Sequence, residues 1–110
     1  MDYPAGHADE FIPAPTKDPN AFIVRAQGDS MINDQIKEGD YLVIEPNTPI
    51  KNGNIILAWD PKNGCTIKKF YKKPDGSIIL VAANPKYPPI EVEPNEDFRV
   101  YRVRRKIEEL

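Results

Sequence analysis

Twelve prolines are spread through the 110 residues, from Pro4 to Pro94. Proline has no backbone N–H to donate and breaks a helix interior, so long helices have little room in this chain. Between the prolines lie short runs rich in Val, Ile, Phe and Tyr. Gly, Pro, Asn or Asp flanks most of them, which is the pattern of strands closed by turns. The runs are Ala21–Gln27, Tyr41–Glu45, Asn54–Trp59, Cys65–Lys72, Ser77–Ala82 and Phe98–Lys106. Pro74-Asp75-Gly76 predicts a hairpin turn within Cys65–Ala82, and Lys62-Asn63-Gly64 predicts a turn joining the two runs before it. One short helix is expected over Ser30–Lys37, ending near Gly39. Residues 1–20 carry Pro4, Pro13, Pro15 and Pro19 and read as an extended, irregular arm. The expected architecture is a mostly β single domain of antiparallel strands and hairpins with one short helix. It occupies residues 21–110 behind the arm of residues 1–20.

Composition narrows the function classes. At 40% hydrophobic and 29% charged residues the chain has a globular composition. A chain of this size buries one modest core. The formal net charge of -2 gives no overall basic field to draw the molecule to nucleic acid. A lone cysteine, Cys65, makes no internal disulfide, so nothing argues for an oxidising compartment. No apolar stretch is long enough to cross a membrane and no signal peptide is evident, which predicts a cytoplasmic protein without membrane partners. His7 has no ligand cluster at metal spacing around it, and no cofactor is expected. Met1 leads almost at once into Pro4-Ala5-Gly6. The chain therefore reads as a fragment whose N-terminal part is missing.

Two residues carry the chemistry. Ser30 lies in Gly28-Asp29-Ser30-Met31, after the apolar run Ala21-Phe22-Ile23-Val24. A turn there would expose Ser30 Oγ and leave the N–H groups near Ser30 and Met31 free to stabilise an oxyanion. On this tripeptide alone, an N-cap at Ser30 or Asp29 is the plainer reading. Lys68 lies in Thr66-Ile67-Lys68-Lys69-Phe70, where alternation puts Thr66, Lys68 and Phe70 on one face and Ile67, Lys69 and Tyr71 on the other. One of the two lysines must face the apolar side, unless both guard an edge strand. A lysine held in an apolar pocket has a lowered pKa and, once neutral, takes a proton from a serine hydroxyl. Together the two suggest a serine nucleophile with a lysine base, a variant of the serine triad that needs no histidine.

The surroundings sharpen this. Gly28-Asp29-Ser30-Met31-Ile32 is followed in order by Glu38-Gly39-Asp40-Tyr41-Leu42-Val43-Ile44, Asn52-Gly53-Asn54-Ile55-Ile56, Thr66-Ile67-Lys68-Lys69-Phe70 and Ala83-Asn84-Pro85-Lys86-Tyr87-Pro88-Pro89-Ile90. This ordered series, over roughly residues 21–90, resembles the self-cleaving domain of the LexA, phage CI repressor and UmuD family. The resemblance implies Ser30 as nucleophile, Lys68 as general base and Lys69 as a structural basic residue. It implies self-cleavage at an Ala-Gly or Cys-Gly bond, stimulated by RecA on single-stranded DNA, in a homodimeric repressor of the SOS response. DNA would be bound only through a missing N-terminal domain. The UmuD-type accessory subunit of an error-prone polymerase is the alternative, and a non-catalytic dimerisation module is the rival outside the enzymes. Ala5-Gly6 is the expected scissile pair, although it lies nearer the serine than the family usually places it. Tyr3-Pro4 resembles the residues just after the UmuD cut and would place the bond at or before Met1-Asp2.

Departures from the family pattern are Asn54, where Asp is common, and the basic run Arg99, Arg102, Arg104, Arg105 and Lys106. That last strand is expected to present an open edge to a second copy. Its arginines would pair with Glu91, Glu93, Glu96 or Asp97, while its apolar residues, among them Phe98, Val100 and Ile107, would carry the contact, which Val100→Asp or Val103→Asp should weaken. Cys65 reads as a small apolar filler, and Trp59 as core or interface.

Overall fold

The computed structural model describes residues 17–61, 64–93 and 98–107. Among these, β1 (Phe22–Arg25), β2 (Tyr41–Glu45), β3 (Ile55–Asp60), β4 (Gly64–Lys72), β5 (Ile78–Val81), β6 (Ile90–Val92) and β7 (Arg99–Ile107) form one sheet. Its order is β1-β2-β7-β3-β4-β5-β6, and every pairing is antiparallel. The mostly β architecture is the expected one. The hairpin at Pro74-Asp75-Gly76 is present. Asp75 accepts the Ser77 N–H at 2.9 Å, Lys73 N–H reaches the Ser77 carbonyl at 2.9 Å, and Gly76 takes φ 92, a value that disfavours any side chain. Lys62 and Asn63 lie outside the described residues, but Asp60 pairs with Gly64 across the turn they were expected to make.

β3 is the spine of the core, because Ile56, Leu57 and Ala58 are all buried. Strand alternation sends Leu57 to one face, where it joins Val24, Leu42, Ile44 and Val103. Ile56 and Ala58 go to the other, with Phe70, Ile78 and Leu80. Cys65 is a free thiol that packs, half-buried, against the first cluster.

Two expectations are corrected and one strand is added. The first concerns the last strand, which is not an edge: β7 lies inside the sheet, pairing with β3 over Arg99–Arg102 and with β2 over Arg102–Ile107. Val103 is buried in the first cluster and Val100 packs against the second. Val103 therefore serves the core of this chain, while Val100 is half-buried. The β3-side edge from Val103 onward has no strand partner among the described residues. Within the chain Arg104 pairs with Glu45 at 3.7 Å and Glu91 with Lys73 at 3.4 Å; Glu96 and Asp97 lie outside the described residues.

The second correction is to the helix over Ser30–Lys37, which is a single 3-10 turn, Ile32–Asp34. Met31 and Ile36 both enter the first cluster. Residues five apart diverge by about 140° around an α-helix, so a helix could not bury both on one face. The chain instead turns back at Gln35, which takes φ 65. The addition is β6, a three-residue strand after Pro88-Pro89 that lies at the sheet edge with Ile90 and Glu91 exposed. No helix among the described residues is long and apolar enough to cross a membrane.

Candidate active site

The serine sits on a turn fixed from both sides. Ala26 N–H donates to the Asp40 carbonyl and Gly39 N–H to the Ala26 carbonyl, each at 2.8 Å, which closes the neck of the segment between β1 and β2. Gly28 takes φ 76, and a Cβ there would meet nothing within 4 Å. The requirement for glycine is therefore one of backbone conformation and not of space. Beyond it Met31 is 2% exposed and plugs into the core. Its Sδ accepts the Ala83 N–H at 3.3 Å, while Asn33 N–H donates to the Ala83 carbonyl at 2.8 Å. Asn84 Nδ2 donates to the Asp29 carbonyl at 2.9 Å. Asp29 is not a helix cap: its carboxylate accepts the Tyr87 hydroxyl and pairs with Lys86. No side chain caps the 3-10 turn.

The lysine comes from β4 at the place where β5 leaves it. β5 pairs with β4 only over Lys69–Lys72, so Gly64–Lys68 has β3 on one side and no strand on the other among the described residues. The Ser30 turn approaches this open stretch. Lys68 stands opposite Ile56, on the face of the Phe70 cluster, and is 8% exposed. Its Nζ lies 3.1 Å from Ser30 Oγ, 2.6 Å from Thr66 Oγ1 and 3.2 Å from the Ile67 carbonyl. None of these three partners is a carboxylate. Burial without a counter-charge pushes the amine below the ordinary lysine pKa.

The three oxygen partners can be satisfied by either form of the amine, since an ammonium has three N–H donors and a neutral amine has two and one lone pair. In the neutral form the Ile67 carbonyl and Thr66 Oγ1 accept the two N–H groups, and the lone pair is left for the Ser30 O–H. Lys69 points to the other face and pairs with Asp34 of the 3-10 turn at 3.3 Å. The two adjacent lysines thus divide as the alternation of β4 requires.

An open cleft of about 310 Å³ runs past Ser30 and Lys68, with Asp29, Thr66, Tyr87 and Ile90 among its walls. Of the expected oxyanion residues, Ser30 lines this cleft, while the Met31 side chain is buried in the core behind it. No hydrogen bond from either N–H is made among the described residues. Both lie on the turn that leads into the 3-10 helix, with Met31 at its N-cap position. Ala5, Gly6 and His7 lie outside the described residues. Thr66, Asn84 and Tyr87 complete the site without having been singled out from the sequence. Thr66 was legible, since alternation puts it beside Lys68. Asn84 and Tyr87 were not, because each meets Asp29 across more than fifty residues of chain.

Residues 3–103 match the Peptidase S24-like family, and the chain belongs to it. It is similar to LexA repressors. The chain is 41% identical over 73 residues to that of Pseudothermotoga lettingae, a match covering 66% of this chain and 36% of the relative. It is 44% identical over 85 residues to that of Desulfatibacillum aliphaticivorans, covering 76% and 40%. It is 34% identical over 86 residues to that of Bacillus subtilis, covering 74% and 42%. The chain thus spans well under half the length of these relatives. The family expected from the order of motifs is the one found.

Proposed function

We propose that this chain is the self-cleaving domain of a LexA-type repressor, in which Ser30 attacks a peptide carbonyl of the chain's own N-terminal arm. The observation that carries the reading is the 3.1 Å approach of a buried lysine amine to Ser30 Oγ with no carboxylate beside it. In the first step the Ser30 O–H proton passes to Lys68 Nζ as the Oγ–C bond forms. The N–H groups of Ser30 and Met31 hold the oxyanion. The C–N bond then breaks, and the leaving amine takes the proton from Lys68. Water, deprotonated in turn by Lys68, hydrolyses the ester. Thr66 aims the amine. Because the substrate is part of the same chain, attack is effectively unimolecular and an open cleft suffices.

The proposal includes a homodimer, stimulation by a RecA filament on single-stranded DNA, a cytoplasmic setting and DNA binding through a separate N-terminal domain. The scissile bond proposed is Ala5–Gly6. The test is incubation at alkaline pH with intact-mass analysis. The wild type should yield a product beginning at Gly6, and Ser30→Ala and Lys68→Ala should yield none. Cleavage that persists in Ser30→Ala would sink the mechanism. A product with another N-terminus would move the bond and leave the chemistry standing.

A further inference from the structure

An aspartate next to the nucleophile is an awkward neighbour for a base that must be neutral. Asp29 precedes Ser30 directly, and both line the cleft into which Lys68 faces. A carboxylate free to swing toward Nζ would favour the ammonium form and disarm it. The structure holds this carboxylate elsewhere. Tyr87 donates its hydroxyl to Asp29 Oδ1. Lys86 approaches Oδ2 at 3.5 Å and also lies over the Tyr87 ring, 5.5 Å from its centroid. Both partners come from the loop between β5 and β6. Asn84 shapes that loop: its Oδ1 accepts the Lys86 N–H at 3.0 Å, its carbonyl accepts the Tyr87 N–H at 3.0 Å, and its Nδ2 holds the Asp29 carbonyl. The carboxylate therefore faces the solvent side of the cleft, where Lys86 is 68% exposed.

Resting on the reading of Ser30 and Lys68 given above, we propose that Tyr87 is a positioning residue for that pair. Its hydroxyl latches Asp29, which fixes the serine turn and keeps a negative charge off the Lys68 amine. The charged and titratable groups around the cleft fit this assignment. The turn brings Asp29, and the loop brings Lys86 and Tyr87. Glu38, from the segment before β2, accepts the Gly28 N–H at 3.3 Å. β3 and β6 contribute the apolar Ile56 and Ile90. Asp34, behind the turn, is occupied by Lys69. Asp29 is thus the carboxylate adjoining Ser30 on the cleft side, and Tyr87 is the group that restrains it there. Consistent with the contact, the hydrogen bond from Tyr87 holds the Asp29 carboxyl below its usual range, and the same bond raises the phenol of Tyr87.

The test labels Ser30 with a small fluorophosphonate, following intact mass across pH. In that reaction the Oγ–P bond forms, fluoride leaves and the proton goes to Lys68, so the rate reports the dyad without requiring cleavage of the arm. Tyr87→Phe should move the midpoint of the pH–rate curve upward. Below the midpoint labelling should slow about three- to tenfold, the effect of a unit charge ~6 Å away at an effective dielectric between ~40 and ~80. Asp29→Asn, which still accepts the hydrogen bond but bears no charge, should not raise the midpoint. Adding it to Tyr87→Phe should cancel the rise. A Tyr87→Phe curve that overlays wild type would overturn the latch, as would a rise that persists in the double variant. Ser30→Ala and Lys68→Ala separate the two levels: if either labels as fast as wild type, the dyad reading fails and the latch with it. If both are inert while Tyr87→Phe is unchanged, the latch alone fails.

Discussion

Replacing Lys68 by methionine should change how stability depends on pH, and the sign follows from burial. Lys68 is 8% exposed and its pKa is depressed by desolvation below the model-compound 10.5. Below the depressed value both folded and unfolded chains carry the proton, and the folded state bears the full cost of a buried charge. Between the depressed value and about 10.5 the unfolded chain holds a proton that the folded chain has lost. Stability contributed by this residue therefore rises with pH across that window, with a limiting slope of about 1.4 kcal/mol per pH unit for one proton. Above the window the neutral amine contributes only its contacts. Loss of N–H bonds to Thr66 and Ile67 would cost methionine about 1 kcal/mol each. Extra apolar burial returns about 0.8 kcal/mol per methylene equivalent. The two proteins should thus come within about 1–2 kcal/mol of each other near pH 10.5, and the methionine variant should gain relative to wild type as pH falls toward 7. Urea unfolding at a series of pH values, both proteins carrying Ser30→Ala to prevent self-cleavage, measures the difference. Other titrating groups cancel in that comparison. A difference that stays flat from pH 7 to 10.5 would refute the idea that burial keeps this amine neutral.

Thr66→Val should slow self-cleavage about tenfold at constant pH, because the hydroxyl that orients Nζ is lost with little change of shape; Thr66→Ser should recover most of the rate in the same intact-mass assay. Gly28→Ala should destabilise by about 1–2 kcal/mol through its left-handed backbone alone, since no atom crowds the site, and a urea midpoint unchanged by the substitution would contradict the turn geometry. Light scattering at tens of micromolar should report a dimer; a monomer would remove the homodimer from the proposal. Val100→Asp and Val103→Asp should lower the melting temperature sharply, because Val103 is buried in the core and Val100 packs against it.

The parts of this fold legible in the sequence were those governed by nearest neighbours along the chain. Tyr41–Glu45 is a strand with the boundaries its apolar run suggests, and Pro74-Asp75-Gly76 makes its turn because glycine supplies the positive φ. What escaped depends on neighbours in space. Phe98–Lys106 looked like an edge because its arginines suit solvent, yet Val103 fills the core, Val100 packs against it and the strand slides between β2 and β3. The Ser30–Lys37 segment offered a cap-like Asp29-Ser30 and a closing Gly39, but burial of both Met31 and Ile36 forced a tighter turn. At the site, Ser30 and Lys68 were legible through the order of motifs, and their approach required the fold. Thr66 followed from strand alternation. Asn84 and Tyr87 lay in a run that helped carry the family resemblance, but nothing in it assigned them a role, since their partner Asp29 is 55 and 58 residues away.

The claim at the centre of this account is that Lys68 loses its proton more readily than an ordinary lysine, so that it can take the proton of Ser30. A ¹³C-detected NMR titration of the lysine side-chain methylenes, with Lys68 assigned by its loss in Lys68→Met, reads that property directly. Lys68 should titrate clearly below 10.5, the value of a free lysine side chain. Titration of Lys68 at 10.5 or above would contradict the account.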